Sequence, residues 1–566
     1  MASIKNQSFR LQDLIDTEHD NDISYKNDCS YLDIEDIVNV CKESFQFNAL
    51  HLNIRSIPAK INSLKMLLTN LNSSGLSFDF ILLCETYLSD VNFDLFQIPN
   101  YTLVEKHRKN TMRGGVAIYV KNDYEFIRRD DLSIFNEGEF ESIFVEIQQK
   151  SKQKNLIVGE IYRVPNSSQR TFIESYDNLI NKINTENKSL VIGTDQNLDL
   201  LKLNEEKIIK EFLELNYSNG LIPVITKPTR ITHQTATLID NIYTNLNFID
   251  NMKSGIIVSD ISDHLPIFLQ FGKLNKLNNK RPLEFTYRDT NEKAINDIIA
   301  DLNTKDWNII DSMNVAQGLH FLTDSINLAL NKFAPLKTVS IPYKNIIREP
   351  WVTKGMLKSS NNLDKLFNKC LGKEKNSLIY LNYIKKRNLF NSLKRKAKKT
   401  YYQEKLHQAK NDTAETWRLL QSAIGKMNNR SSLPSSFKLN ETIICDEQTI
   451  SNEFCKYFTN VGPTFAAQIP NSNNNFQYYM KNNYMNTLFF EPTDTSEIEK
   501  VITNLKSKKS AGHDELDSIF IKNIKQAILF PLHLIINKSL ETGEFPKALK
   551  IAKVVPIYKA KDKQIF

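Results

Sequence analysis

The segment SLVIGTDQNLDLL, residues 189–201, sets a pattern that recurs through the first half of the chain. An apolar run typical of a buried strand leads to Asp195 and Asn197, which lie two positions apart. Side chains two positions apart on an extended chain face the same side. The segment therefore predicts a strand that delivers a carboxylate and an amide to one place at its end.

Five further strand-like runs in the first half also lead to polar residues of the kind that perform metal-assisted phosphoester chemistry. They are Ala49–Leu52 before Asn53, Phe78–Cys84 before Glu85, Asn155–Ile161 before Tyr162, Leu238–Ile239 before Asp240, and Gly255–Ser259 before Ser262, Asp263 and His264. A single ending of this kind carries little information. Together they predict that polar side chains converge on one rim of a sheet, and they favour an enzyme, specifically a nuclease.

Strand-like and helical segments alternate over residues 48–273, after a polar leader at residues 1–47. Helical spacing is found in Ala59–Leu71, Ser168–Asn184 and Glu206–Asn216, and strand patterns in Gly115–Val120 and Phe140–Ile147. Long apolar strands and alternating strands in one region favour two sheets packed face to face with helices outside. We therefore predict an α/β domain over 48–273, a two-sheet β-sandwich flanked by helices.

The second half of the chain has a different pattern. A polar linker is predicted at Leu274–Pro282, and β signals largely stop from about residue 285. Helices are predicted at Ile295–Leu302, Ala316–Phe333, Trp351–Leu371, Leu378–Gln408, Ser496–Leu505 and Phe520–Thr542, with an asparagine-rich break at Asn471–Asn475 and a strand-like Val554–Tyr558. We therefore predict a basic, mainly helical connector over 274–480 and a further domain over 481–566.

Composition narrows the class of protein. A chain of 566 residues is too long for one ordinary domain, and a hydrophobic content of 41% is enough for packed cores. The six cysteines form no Cys-x-x-Cys pair, which favours reduced thiols over a disulfide framework or a zinc knuckle. Neither a secretory signal nor an apolar run long enough to span a bilayer is evident. We expect a protein of the nucleus and cytoplasm without a membrane partner.

A basic segment at 385–399 is interleaved with tyrosines and has two interpretations. It is either an ordinary solvated helix face or an arm that follows a phosphate backbone, because lysine and arginine release counterions when they bind nucleic acid. Lys394, Arg395 and Lys398 are the candidate contacts under the second interpretation. The sequence does not choose between the two.

Cleavage of a phosphodiester requires a divalent cation, a deprotonated water and donors around the developing charge. Mg²⁺, or Mn²⁺ as an alternative, takes oxygen ligands, and Glu85 is the leading candidate, with the start of a surface loop as the plain alternative. His264 is a catalytic candidate because Asp240 is available to fix its tautomer. Tyr162 is available as a donor to phosphate or as a packing residue. No small-molecule cofactor is expected.

Taken in order, these residues resemble the endonuclease/exonuclease/phosphatase superfamily. More closely, the chain resembles the apurinic-type endonuclease of non-LTR (LINE-type, jockey-like) retrotransposon polyproteins. The resemblance covers roughly residues 45–273 and rests on the strings LHLNIRS, LLCETYL, RGGVAIYV, GEIYRVPN, VIGTDQNLDLL, KPTRITHQTATLIDNIYTN and ISDHLPIF. One departure is that the family pattern Gly-Asp-Phe-Asn is replaced here by Gly193-Thr194-Asp195-Gln196-Asn197, which keeps the Asp-x-Asn spacing.

The resemblance implies a role for each matching position. Glu85, Asp263 and Asn53 would hold or neighbour the metal, and Asp195 would activate or orient the attacking water. Asn197 and Tyr162 would contact the scissile phosphate, and Asp240 would support His264. Thr237 and Arg163 would contact nucleic acid.

The last part of the chain resembles the beginning of the same elements' reverse transcriptase. The matching residues are Lys508, Lys509, Gly512 and Asp514, followed by Lys550, Pro556 and Lys559. The catalytic carboxylates of the palm, including a Tyr-x-Asp-Asp motif, are not in this sequence. The resemblance therefore implies an incomplete reverse-transcriptase fingers and palm start, with the polymerase truncated and inactive in this chain.

The leading hypothesis is a Mg²⁺-dependent endonuclease that nicks target DNA and leaves a 3′-hydroxyl for target-primed reverse transcription. Its partners would be the DNA target and, as a further candidate, the element RNA. One alternative is a catalytically dead transposon relic that at most binds nucleic acid. Another is a phosphatase acting on a small phosphoester such as an inositol phosphate.

Overall fold

The structure is a computed structural model of the 566-residue chain. It describes residues 29–40, 45–111, 113–149, 154–245, 252–273, 283–341, 349–410, 412–425, 437–439, 442–444, 446–470, 476–480, 490–507 and 511–555. The predicted leader up to residue 28, the linker Leu274–Pro282, the break Asn471–Asn475, and Lys508, Lys509, Pro556 and Lys559 lie outside the described residues.

The strands and helices have the following bounds. The strands are β1 (Tyr31–Leu32), β2 (Phe45–Asn53), β3 (Phe80–Cys84), β4 (Tyr101–Lys106), β5 (Val116–Lys121), β6 (Phe126–Arg128), β7 (Phe135–Asn136), β8 (Phe140–Ile147), β9 (Leu156–Arg163), β10 (Ser189–Asp195), β11 (Leu221–Pro223), β12 (Arg230–Ile231), β13 (Ala236–Thr237), β14 (Asp240–Asn245), β15 (Met252–Ile257), β16 (Ile267–Lys273), β17 (Leu283–Arg288), β18 (Leu336–Ile341), β19 (Phe437–Leu439) and β20 (Thr442–Ile444). The helices are α1 (Ile34–Val40), α2 (Ile57–Ser73), α3 (Gln169–Asn184), α4 (Lys207–Ser218), α5 (Glu292–Asn303), α6 (Val315–Phe333), α7 (Lys354–Cys370), α8 (Leu378–Gln408), α9 (Thr413–Ile424), α10 (Glu447–Ala467), α11 (Phe476–Tyr479), α12 (Thr495–Asn504), α13 (Ser518–Asn523) and α14 (Lys525–Thr542).

Two seven-stranded sheets form the core of the first part of the chain. One sheet has the order β1-β15-β16-β2-β3-β5-β4, and the other has the order β11-β14-β10-β9-β8-β6, with β7 paired to β8. Strands covered on both faces are apolar throughout rather than alternating, as in β3, where all five residues of FILLC are buried. The predicted two-sheet sandwich with flanking helices is confirmed.

The helices pack through apolar faces that the sequence pattern predicts. Phe172, Tyr176, Leu179, Ile180 and Ile183 of α3 are buried in the core that includes both sheets. Ser168 ends the preceding loop, and its hydroxyl accepts a hydrogen bond from the Thr171 amide at 3.2 Å, which caps the helix. Helices α1 and α2 pack in a second core with β2, β3 and β5.

The chain forms two compact units. The first consists of Met1–Arg281 and Pro342–Ser432 and contains the sandwich together with α7, α8 and α9. The second consists of Pro282–Ile341 and Leu433–Phe566. Its main apolar cluster is formed by α5, α6, α12, α13 and α14. The helical segment between the two predicted enzyme domains therefore contributes to both units.

Two secondary-structure predictions in the second half are wrong. Strands β17 and β18 pair antiparallel where strand signals were expected to stop, because LEFTYR alternates apolar and polar residues over six positions and LKTVSI is rich in β-branched residues. The helix predicted over Phe520–Thr542 is divided at Ile524, which ends α13 and precedes α14. Val554 and Val555 lie outside any strand.

Candidate active site

Polar side chains from neighbouring strands meet at one rim of the sandwich, as the sequence predicted. Asn53 and Asp195 are the last residues of β2 and β10, and Glu85 directly follows β3. Parallel pairing of β9 and β10 sets Tyr162 beside Asp195. Antiparallel pairing of β14 and β10 sets Asp240 on the other side of Asp195.

Asp240 reaches this rim by a route that the sequence analysis described wrongly. The prediction placed it after a strand at Leu238–Ile239, but Asp240 is the first residue of β14. Because β14 runs antiparallel to β10, the start of one strand lies beside the end of the other. The carboxylate is therefore at the predicted rim although the strand runs in the opposite direction.

Asn53 joins two of the carboxylates. Its Nδ2 donates to Glu85 Oε1 at 2.8 Å and to Asp195 Oδ2 at 2.7 Å, and Asn53 is fully buried. The hydroxyl of Tyr87 donates to the second Glu85 oxygen at 2.8 Å. These hydrogen bonds hold two acidic side chains on either side of one amide and fix their orientation.

A guanidinium lies between the two carboxylates that were predicted to bind metal. Arg55 Nη1 donates to Asp263 Oδ2 at 2.6 Å, and Arg55 Nε is 3.7 Å from Glu85 Oε2. Arg230 also reaches Asp263, with its Nη2 at 3.1 Å from Oδ2. Glu85 and Asp263 thus converge on one cationic group, and an all-oxygen donor set at such a place suits a hard divalent cation. Glu85 and Asp263 therefore have the carboxylate oxygens that a divalent cation takes, and Arg55 balances their charge here.

His264 and Asp240 form a buried pair. His264 Nδ1 lies 2.9 Å from Asp240 Oδ2 and 3.0 Å from Oδ1, and the Thr229 hydroxyl donates to Oδ2 at 2.6 Å. Burial alone would lower the pKa of His264, but the charge and hydrogen bond of Asp240, together with the charges of Asp195 and Asp263, outweigh burial and raise that pKa to about 9. The imidazole is therefore oriented and held in its charged form.

The two neighbouring carboxylates Asp195 and Asp240 have pKa values shifted in opposite directions. Burial, together with the charge of Asp240, raises the pKa of Asp195 to about 7. Although burial acts the other way, the paired histidines hold the pKa of Asp240 well below its usual range. Two neighbouring carboxylates with pKa values pushed apart are typical of a site in which one group takes up a proton and the other stays ionised.

A second histidine–acid pair lies behind the first, and the sequence analysis missed it. His51 Nδ1 is 3.0 Å from Glu160 Oε2, His51 Nε2 is 3.6 Å from Asp240 Oδ1, and all three residues are fully buried. His51 and Glu160 precede the predicted residues Asn53 and Tyr162 by two positions on their strands. Side chains two positions apart on a strand face the same side, which is the argument that linked Asp195 to Asn197. The same argument places His51 beside Asn53 and Glu160 beside Tyr162.

The described residues contain two groups whose ligand atoms lie close enough to share a metal ion. One consists of Asp195, Asp240 and His264, and the other of His51, Cys84 and Glu160, with the atoms of each group within 4.8 Å of one another. The first group adjoins Asn53 and Glu85 at the rim. In the second, burial raises the pKa of the Cys84 thiol well above its ordinary value, which disfavours the thiolate that a metal needs.

The remaining predicted residues lie around the same rim. Tyr162 is nearly buried, and burial raises the pKa of its phenol, so the hydroxyl stays protonated. Asn197 has a left-handed backbone (φ 48°), and its Nδ2 donates to the Arg163 carbonyl at 2.7 Å. Arg163 is buried and donates to the carbonyls of Gln196 and Asn197, both at 2.7 Å. It therefore braces the loop after β10, and its predicted contact with nucleic acid stays a prediction.

Two further sets of predicted contacts lie on β13 and α8. Thr237 is half-buried and pairs with Arg230 across β12 and β13. Lys394, Arg395 and Lys398 are on α8, which belongs to the same compact unit as the rim. Their contact with nucleic acid is likewise a prediction.

Comparison with known proteins relates part of the chain to mobile elements, while no family model matches. The chain is 36% identical over 69 residues to the RNA-directed DNA polymerase from mobile element jockey of Drosophila funebris, which is 12% of this chain and 8% of that protein. It is 33% identical over 81 residues to the Drosophila melanogaster protein of the same description, 14% of this chain and 9% of that protein. The resemblance to jockey-like elements is confirmed. These matches span less than a tenth of each relative.

Solved structures similar to this chain include nucleases. The endonuclease domain of TRAS1, a telomere-specific non-LTR retrotransposon, matches at 16% identity over 41% of this chain and 100% of that domain, with a TM-score of 0.33. The AP endonuclease LMAP from Leishmania major matches at 11% identity over 46% of this chain and 98% of that one, with a TM-score of 0.34. No helix among the described residues is long and apolar enough to cross a membrane.

Proposed function

We propose that the sandwich unit is a divalent-metal-dependent endonuclease that nicks DNA and leaves a 3′-hydroxyl, which would prime reverse transcription in a jockey-like element. The proposal rests mainly on the joint position of Asn53, Glu85, Asp195, Asp240 and His264 at one rim. Carboxylates, an amide and a charged imidazole in one place supply the groups that phosphodiester hydrolysis requires.

Each side chain would have a distinct part. Glu85, Asp263 and Asn53 would hold Mg²⁺ or Mn²⁺, which when bound supplies charge neutralisation at the phosphate. Asp195, with its pKa near 7, would accept the proton of the attacking water. His264, kept charged by Asp240, would donate a hydrogen bond to a phosphate oxygen as negative charge develops there.

Tyr162 and Asn197 would complete the contacts with the scissile phosphate. The Tyr162 phenol stays protonated because burial raises its pKa, so it remains a hydrogen-bond donor. The backbone around Asn197 is anchored by the Arg163 guanidinium. Such bracing places the donors before substrate arrives, which lowers the cost of orienting them during the reaction.

Nicking of supercoiled plasmid by the full chain in Mg²⁺ tests the proposal. Open-circle product should appear with the wild-type chain and disappear with EDTA or with His264→Ala. His320→Ala is the matched control, because His320 is 76% exposed in its side chain and lies in the second compact unit. A DNA polymerase should extend the nick directly if its end is a 3′-hydroxyl.

Five outcomes would count against the proposal. Nicking that persists in the His264 variant would indicate a contaminating nuclease or a site elsewhere, and loss of nicking in the His320 variant would show that the assay does not report on the rim. A nick that needs phosphatase treatment before extension would exclude the priming role. A folded chain that hydrolyses a small phosphoester but leaves plasmid intact would point to a phosphatase, and a folded chain inactive on both would point to a dead relic.

A further inference from the structure

A cavity of about 810 Å³ lies between the sandwich and α8, within the first compact unit. Its walls are α2, the loop after β15, α7 and α8. The cations that line it are Lys60, Arg387, Lys394, Arg395, Lys398 and Lys399. The carboxylates that line it are Asp260 and Asp364. We call this cavity the basic cleft.

Several of these cations lie on the packed side of α8. Tyr383, Phe390 and Tyr402 are the buried residues of this helix. Lys394 follows Phe390 by one turn, and its Nζ donates to Ser63 Oγ on α2 at 3.1 Å. On a helix face that is only solvated, lysine side chains point into solvent. The interpretation of the basic segment as an ordinary solvated face therefore does not describe Lys394.

The cations that line the cleft outnumber its two carboxylates, Asp260 and Asp364. Burial raises the pKa of both Asp260 and Asp364, and the charge of Asp260 raises that of Asp364 further. The Asp260 amide donates to Asp364 Oδ1 at 3.1 Å, which ties the loop to α7. Arg387 Nε lies 3.7 Å from Asp260 Oδ2. Lys394 lies within electrostatic range of both carboxylates. Arg395, Lys398 and Lys399 line the cleft without an ion pair among the described residues.

The side chain of Trp351 is a second observation that favours a ligand with hydrogen-bond acceptors in the basic cleft. This residue lines the basic cleft and is 4% exposed, and its indole Nε1 has no hydrogen-bond partner among the described residues. The indole N–H is a donor only. Buried donors are nearly always paired. The wall of the basic cleft therefore includes a residue with an unpaired donor, which favours a ligand with acceptor oxygens over a cation.

Lys60 connects the basic cleft to the candidate active site. It lines the cleft on α2, and it lies within electrostatic range of Asp263 and Glu85 at the rim and of Arg387 on α8. Lys60 therefore couples the positive charge of the basic cleft electrostatically to the carboxylates of the rim.

The dimensions favour a strand over a single phosphate. Arg387 and Lys398 are eleven residues apart on α8, which is about 16 Å along the helix axis. One strand of duplex DNA places a phosphate every 3.4 Å or so along its axis, so this distance corresponds to roughly five nucleotides. A single inorganic phosphate would leave most of these cations without a partner.

We infer that the basic cleft binds the backbone phosphates of DNA beside the bond that the rim would cut, an inference that rests on the proposed function. Helix α8 thereby acts as part of the endonuclease surface, although about a hundred residues of sequence separate it from the sandwich strands. The bound groups are phosphates of duplex DNA, recognised by charge rather than by base.

Paired triple variants of the full chain test the inference. The cleft variant carries Arg395→Gln, Lys398→Gln and Lys399→Gln. The control variant carries Lys385→Gln, Lys386→Gln and Lys396→Gln, which removes the same charge from exposed positions of α8 outside the cleft. None of these six side chains bonds to the sandwich among the described residues, so folding should survive in both; circular dichroism checks this.

Fluorescence anisotropy with a labelled duplex, in EDTA to prevent cleavage, measures binding over a range of salt concentrations. Each phosphate contact contributes about 0.9 to the slope of log affinity against log salt. The cleft variant should lose about two to three from that slope, and the control variant less than about one. Equal losses in the two variants, or tighter binding of RNA than of DNA by the wild-type chain, would overturn the inference.

Plasmid nicking by the same proteins separates this inference from the proposed function. If wild-type protein nicks but the two triples bind DNA equally well, the endonuclease proposal stands and the cleft assignment is wrong. If wild-type protein does not nick but the cleft variant alone loses salt-dependent binding, the cleft still binds DNA phosphates while the catalytic proposal fails.

Discussion

Replacement of Gly193 by alanine tests the reasoning about the second histidine pair. A Cβ at this position of β10 would lie 2.5 Å from Glu160 Oε2, 2.9 Å from His51 Nδ1 and 2.8 Å from Leu82 Cδ1. All three neighbours are fully buried, and His51 and Glu160 hold each other through a 3.0 Å contact. None of them can yield without disturbing a packed region between the two sheets.

The size of the effect follows from these distances. Three contacts below 3.0 Å amount to overpacking by a methyl group, which costs about 1–3 kcal/mol in a well-packed core. The free energy of local opening of β10 should fall by that amount. Amide exchange in peptides that contain β10 should therefore accelerate by about 5- to 150-fold, because about 1.4 kcal/mol corresponds to a factor of ten.

Hydrogen exchange followed by mass spectrometry measures this locally, which suits a chain of two compact units. Gly355→Ala is the matched control, since Gly355 lies in the first turn of α7 and its Cβ would meet only Thr353 Oγ1, at 3.7 Å. That variant should leave exchange unchanged or slow it slightly, because alanine is the better helix former. Unchanged exchange in β10 of the Gly193 variant would refute the packing argument.

Three further changes give distinct expectations. Asp240→Asn should leave the fold intact, because the amide keeps the carboxylate's shape, but it should lower plasmid nicking by about 10²–10⁴-fold through loss of the charge that supports the imidazolium. Asn53→Ala removes the donor shared by two carboxylates and should raise the Mg²⁺ concentration for half-maximal nicking by about 10- to 100-fold; an unchanged Mg²⁺ requirement would contradict that role. Arg129→Gln should lower the urea midpoint at pH 7, because hydrogen bonds from Arg129 lower the pKa of Asp131 and of Glu186 to about 2. Carboxyl groups with lowered folded-state pKa values add stability above their unfolded values near 4. The difference between variant and wild type should therefore shrink as the pH falls from about 4 toward about 2, and a difference that grew on acidification would be inconsistent with this.

The parts of the structure that sequence predicted well depend on local pattern. Helix α8 was predicted over Leu378–Gln408 and has those bounds, because Ser377 caps its start and helix-forming residues continue without a break. Asn53 and Asp195 were placed correctly at strand ends because long apolar strands end where polar residues begin. In both cases the signal lies within a few residues of the position that it predicts.

The parts that sequence missed depend on contacts between distant segments. His51 and Glu160 are 109 positions apart and meet only because β2 and β9 belong to different sheets that pack face to face. The alternation of side chains along a strand places His51 on the face of Asn53 and Glu160 on the face of Tyr162, but it gives no sign that the two residues contact each other. The direction of β14 was also missed, since a pair of apolar residues before Asp240 is compatible with a strand that ends there or begins there.

In this chain Thr194 separates Gly193 from Asp195, whereas the family that it resembles has glycine directly before the acid. The structure shows how Asp195 is placed with this spacing. Gly193 and Asp195 face the same side of β10, so the glycine makes room for Glu160 and His51 while the carboxylate reaches the rim. Thr194 and Gln196 face the other side, where the Thr194 hydroxyl donates to Gln196 Oε1 at 2.9 Å. Pairing with both neighbouring strands fixes the register of β10, and the position of Asp195 therefore does not depend on an adjacent glycine. Gly193 thus leaves space for the second histidine pair on the same face of β10 from which the Asp195 carboxylate reaches the rim.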